Sequence, residues 1–96
     1  MALISSGQLH LNPNATVTLA WNLPYRTAAT LVPIPTGGGA NNITQRIQWD
    51  QLEVRHIAAG EPGLSDNITQ YRIRAHNVTP NIGFYYRLAI NTFGVI

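Results

Sequence analysis

The residue types best suited to hold a metal or move a proton are His10, His56 and His76, and they fall on three separate segments. A three-histidine metal site needs its ligands to converge on one ion, and no pair here has the i, i+2 or i, i+4 spacing that places two rings together. Neither a metal nor a cofactor is expected. The acids are Asp50, Glu53, Glu61 and Asp66. Glycoside hydrolysis needs two carboxylates flanking one bond. Glu61 sits in a Pro-Gly turn, while Asp50 and Glu53 share a segment on which Arg46 or Arg55 is the expected ionic partner. Ser5, Ser6 and Ser65 lie outside any Gly-x-Ser-x-Gly elbow. The Gly37-Gly38-Gly39 run lacks the Gly-Lys-Ser/Thr of a phosphate loop. A non-catalytic protein is the expectation.

Two groups of residues suit binding better than catalysis. Tyr25 and Arg26 follow Pro24 at the end of an alternating segment. A loop aromatic beside an arginine and neutral amides suits a sugar, with the ring stacked on its apolar face and polar groups bonding its hydroxyls. Gly37, Gly38, Gly39, Asn41 and Asn42 supply a second candidate ligand loop. Arg72, Arg74 and His76 form an outward stripe with period two. The arginines outnumber the acids, so some are expected to lack an internal partner and to meet another protein. Asn14, Asn42, Asn67 and Asn77 each open an Asn-x-Thr glycosylation pattern. In so Asn- and Thr-rich a chain such matches arise by chance.

These side chains must be positioned by a single domain, because the chain has 96 residues. Charged residues are few, and the polar content comes from Asn, Gln and Thr, which suits strands with a neutral solvated face and Asn-rich turns. The net charge is +2, and every basic residue is Arg. Six dispersed arginines form no basic arm, so nucleic acid is not the expected partner. There is no cysteine and hence no disulfide framework. Met1 to Ser6 has neither the basic start nor the apolar run of a signal peptide. No stretch approaches the length of a membrane helix. A soluble protein with no membrane partner is expected, with a virion or an extracellular assembly as its setting.

Strict alternation marks the elements. Gln8 to Leu11 reads as a short first strand, and Asn12-Pro13-Asn14 as a turn. Ala15, Val17, Leu19 and Trp21 point one way from the next strand, which Pro24 ends. Thr27 to Ile34 is β-branched, with Pro33 and Pro35 confining its end to an edge or a loop. Thr36 to Asn42 reads as a mobile loop. From Ile43 to Ala59 the chain is β-like, but Ile47 and Trp49 have one parity and Leu52, Val54 and His56 the other. A bulge or tight turn near Asp50-Gln51 would restore one inward face; the competing assignment is a helix over Gln48 to Ala59. Ile68 to Val78 turns Tyr71, Ile73 and Ala75 inward. Phe84, Tyr86, Leu88 and Ile90 form the inward face of the last strand.

Short strands joined by Gly, Pro and Asn turns predict an all-β chain, a small antiparallel sandwich of immunoglobulin-like or jelly-roll-like form with about six to eight strands. Val17-Thr18-Leu19-Ala20-Trp21-Asn22-Leu23-Pro24 resembles the second strand of the fibronectin type III and related immunoglobulin-like sandwiches, where a Trp anchors the core shortly before a Pro. The segment from Val78 to Asn91 resembles the turn and strand carrying that family's tyrosine corner, with Phe84 at the corner position. The chain departs from the family in its long Gly-rich stretch from Leu31 to Gln45 and in ending after the sixth strand of the pattern. The resemblance implies adhesion, recognition or assembly.

The expected function is therefore that of a structural or interaction module. The last strand, Tyr85 to Ile96, has no successor to cover its edge, and Phe93, Val95 and Ile96 are apolar. An uncovered edge invites pairing with another copy or with a strand of a larger assembly, such as a virion surface or filament. The alternative is a small carbohydrate-binding module using the Tyr25-Arg26 and Gly37 to Asn42 loops.

Overall fold

In a computed structural model, which describes residues 2–37, 44–61, 63 and 65–96, the chain is all-β and antiparallel. Its strands are β1 (Ala2–Ser5), β2 (Leu9–Leu11), β3 (Thr16–Pro24), β4 (Thr27–Gly37), β5 (Ile47–Ile57), β6 (Ile68–Asn77) and β7 (Phe84–Val95). They form two sheets. In the first, β7 is central, with β4 along one edge and β1 and β2 end to end along the other. The second has the order β3-β6-β5. Among the described residues there is no helix, so none is long and apolar enough to cross a membrane.

The core follows from the alternation. β6 turns Thr69, Tyr71, Ile73, Ala75 and Asn77 inward, and β7 turns Phe84, Tyr86, Leu88 and Ile90 against them. Leu23, Leu31, Tyr71, Ile73, Leu88 and Ile90 make one cluster; Leu11, Phe84 and Tyr86 make another. Leu19 packs against both and joins them. Trp21 lies half-buried against the first cluster.

Three corners carry the chain between sheets in tight geometry. Asn14, Arg26 and Asn81 adopt φ of 58°, 69° and 58°, a left-handed conformation that Asn tolerates readily and Arg rarely adopts. At the Arg26 corner the Thr27 hydroxyl donates to the Pro24 carbonyl at 2.6 Å, and the Arg26 N–H donates to Thr69 Oγ1 at 2.7 Å. These bonds hold the arginine in its unusual conformation.

The structure corrects the sequence reading in three places and bears out the bulge expected near Asp50-Gln51. Ala2–Ser5 is a strand; its side chains are all exposed, so it lacks the apolar alternation that would mark it. Thr36 and Gly37 belong to β4 rather than to the Gly-rich loop, while Gly38, Gly39, Asn41 and Asn42 lie outside the described residues. The segment from Gln48 is strand, not helix, and its parity slip is a register shift between Gln51 and Glu53 that leaves Leu52 unpaired. Finally, the last strand is not an open edge from Phe84 to Thr92. β1 and β2 pair with it from Ala2↔Thr92 to Leu11↔Phe84, while β4 pairs with it from Thr27↔Val95 to Gly37↔Tyr85. The gap between β1 and β2 is closed by Ser6, whose N–H donates to the Leu88 carbonyl and whose hydroxyl accepts the Leu88 N–H.

Candidate interaction surface

On the outer face of the β3-β6-β5 sheet the expected stripe is present, but it is internally satisfied. Arg74 forms a bidentate pair with Asp50, at 3.1 Å from Nε and 3.0 Å from Nη2. Arg72 Nη1 donates to Glu53 at 2.6 Å. The closest partners of these acids are therefore across the sheet on β6; of the expected partners Arg55 does pair with Glu53, at the longer distance of 3.8 Å, and Arg46 pairs with neither. His76 Nδ1 is 2.7 Å from the Thr16 hydroxyl. One step along the ladder, Arg55 donates to Gln70, which in turn donates to Asn22. The Arg72 guanidinium beside Glu53 holds that carboxyl below the usual glutamate range. The expectation of unpartnered arginines on this strand is thus corrected: cross-strand register places each beside an acid of β5.

The same register exposes a different surface. Trp49 faces Ala75 and Val54 faces Tyr71, so both belong to the inward row of β5. Yet each is 47 % exposed, because β5 overhangs the margin of the opposite sheet, where β4 is the nearest strand. Between β4 and β5 runs a groove of about 360 Å³ lined by Thr30, Leu31, Val32, Trp49, Gln51, Tyr71 and Ile73. Trp49 also borders a shallow depression on the outer face, beside Asp50, Arg74 and His76. Among the described residues, β5 pairs only through the edge it shares with β6. Its other edge is an unpaired row of backbone donors and acceptors along 11 residues without a proline. By contrast, the outer edge of β4 is blunted by Pro33 and Pro35, which have no N–H to offer.

The remaining candidates are dispersed. His10 packs edge-on against Tyr85, while His56 stacks on Tyr25 and lies 3.0 Å from Asn67 Oδ1. No group of three metal-ligating side chains forms among the described residues. Tyr25 and Arg26 are in a corner, as their position after Pro24 predicts, but His56 covers one face of the tyrosine ring. Gly37 lies at the far end of β4, about 33 Å away at the usual rise per residue, so it does not share a surface with Tyr25 and Arg26. Phe93, Val95 and Ile96 are indeed exposed apolar residues; β1 pairs β7 only as far as Thr92, so Gly94 and Val95 pair with β4 alone and Phe93 falls at the bulge between Thr92 and Gly94.

Asn77 was legible only as a glycosylation pattern. It is fully buried, and its Nδ2 donates to the carbonyls of Leu11, Asn12 and Ile82, so the nitrogen that would carry a glycan is in use. The signal that sequence reading passed over was Trp49 beside a parity slip: a large aromatic on an edge strand. No protein-family model, curated protein or solved structure matches the chain.

Proposed function

We propose that the protein is a non-catalytic interaction module that associates by strand pairing at the β5 edge. The carrying observation is the combination, on one strand, of a backbone edge unpaired among the described residues and two half-exposed inward side chains, Trp49 and Val54, the first of which lines an apolar groove. An added strand would extend the sheet by main-chain hydrogen bonds and lay alternate side chains over the groove, which is the physics of β-augmentation. The charges on the outer face do not oppose this, because Asp50 and Glu53 are neutralised by Arg74 and Arg72. The self-association reading therefore rests on β5 rather than on the terminal strand.

Light scattering across a dilution series tests the reading. The native chain is expected at a fixed multiple of its mass. Val54→Lys, which puts a charge in the inward row of β5 at an exposed position, is expected at the mass of one chain with an unchanged circular dichroism spectrum. Removing Phe93 to Ile96 is expected to leave association intact. A native chain that stays at single mass throughout overturns the reading.

A further inference from the structure

Resting on that reading, we infer that the strand added at the β5 edge is β5 of a second copy, related by a two-fold axis passing between Leu52 and Glu53. In an antiparallel pair, residues directly opposite point to the same face. The inward row of β5 is Ile47, Trp49 and Gln51 before the bulge, and Val54 and His56 after it, as shown by their partners on β6. The unpaired Leu52 shifts the parity by one residue, so the whole strand can meet itself with faces matched only in registers that cross the bulge; a register confined to Ile47 to Gln51 or to Glu53 to Ile57 matches that arm alone.

One such register is favoured by charge. With the axis between Leu52 and Glu53, Trp49 meets His56 of the second copy, Gln51 meets Val54, and Asp50 meets Arg55, each contact occurring twice by symmetry. Apolar and aromatic groups then cover the groove on the inner face. On the outer face Asp50 already holds Arg74 through both oxygens, each with a further lone pair for Arg55 of the second copy. Arg55 commits its Nε to Gln70. The result is a continuous ladder from Arg74 through Asp50 to Arg55 and Gln70 of the second copy. Sliding the copies by two residues in one direction sets Asp50 opposite Glu53, a like-charge contact. Sliding them the other way sets Asp50 opposite Ile57 and turns Glu53 against the inward Val54. Registers shifted by a single residue oppose inward to outward side chains throughout.

A charge-swap experiment tests this register. Arg55→Asp alone sets two carboxylates opposite each other twice, and Asp50→Arg alone sets two guanidinium groups opposite each other twice. Each variant is expected to associate at least about tenfold more weakly than the native chain. Mixed in equal amounts they form two complementary contacts, so the mixture is expected to regain the doubled mass. Circular dichroism checks that each variant folds; both positions are solvent-exposed. If Asp50→Arg is poorly folded because of Arg74, Asp50→Asn serves in its place, with weakened self-association and partial recovery against the native chain as the expected result. Dimers indifferent to both charge variants but abolished by Val54→Lys overturn this register and leave the β5 edge as the docking site. Dimers indifferent to Val54→Lys as well overturn both. A native chain at single mass up to about 1 mM overturns the second copy as the occupant and with it the self-association on which this inference rests.

Discussion

The Tyr71 hydroxyl donates to the Thr27 carbonyl at 2.5 Å and accepts the Ala29 N–H at 3.0 Å, so one side chain of β6 holds two backbone groups of β4 in the facing sheet. The tie lies beside the Tyr25-Arg26 corner, where the chain crosses between sheets, and it borders the groove that β5 overhangs. Phe84, the residue at the expected corner position, is instead plain core, and the hydroxyl that joins the sheets comes from another strand.

Tyr71→Phe keeps the ring and removes only the oxygen. It leaves a buried carbonyl and a part-buried N–H without their side-chain partner, for an expected loss of about 1–3 kcal/mol. Urea unfolding checks this as a lower midpoint at unchanged slope.

Asn77→Ala removes more. Its Oδ1 accepts the Thr79 N–H at 2.8 Å, and its Nδ2 serves three carbonyls on two separate segments of the chain. With no water to replace these bonds at a fully buried position, the expected loss is about 3 kcal/mol or more. The check is the same unfolding measurement, in which Asn81→Ala, at an exposed turn, is expected to lose less.

Glu53 is expected to titrate below the ordinary glutamate range, because Arg72 donates to its charged form and adds an attractive field, with a smaller contribution from Arg55. A depressed native pKa means that the pair's contribution is fully present above the unfolded-state value and is lost as pH falls through the native one. Carboxyl chemical shifts followed through acid titration check this. In Arg72→Ala the Glu53 transition is expected to move back up.

Gly94 adopts φ of 134° in the strand that carries the β7 bulge, with open space where a Cβ would stand. The cost of Gly94→Ala is therefore conformational rather than steric, about 1–3 kcal/mol. Gly7→Ala also meets open space but lacks a positive φ, and it is expected to be neutral or slightly stabilising. Thermal unfolding of the two variants side by side separates the effects.

Much of the sandwich was legible because burial in a sheet imposes a period of two. Tyr71, Ile73 and Ala75 on β6, and Phe84, Tyr86, Leu88 and Ile90 on β7, show that period without interruption, and all are buried. The broken period around Asp50 marked the bulge to within two residues. β1 was not legible, because a strand with every side chain exposed is held by backbone pairing alone, and backbone pairing leaves no pattern of residue types.

The sequence by itself determined the all-β class, the inward faces of the long strands and the turns, since each depends on neighbouring residues and local backbone preferences. Only the tertiary structure decided which edges are covered. β7 looked exposed because it comes last in the chain, yet it is central because β1, some ninety residues away, pairs with it. Arg72 and Arg74 looked free because their partners, Glu53 and Asp50, are distant in sequence. β5, in the middle of the chain, has one edge without a partner among the described residues. Which strand lies beside which is a matter of long-range pairing, and alternation along one strand carries no information about its neighbour.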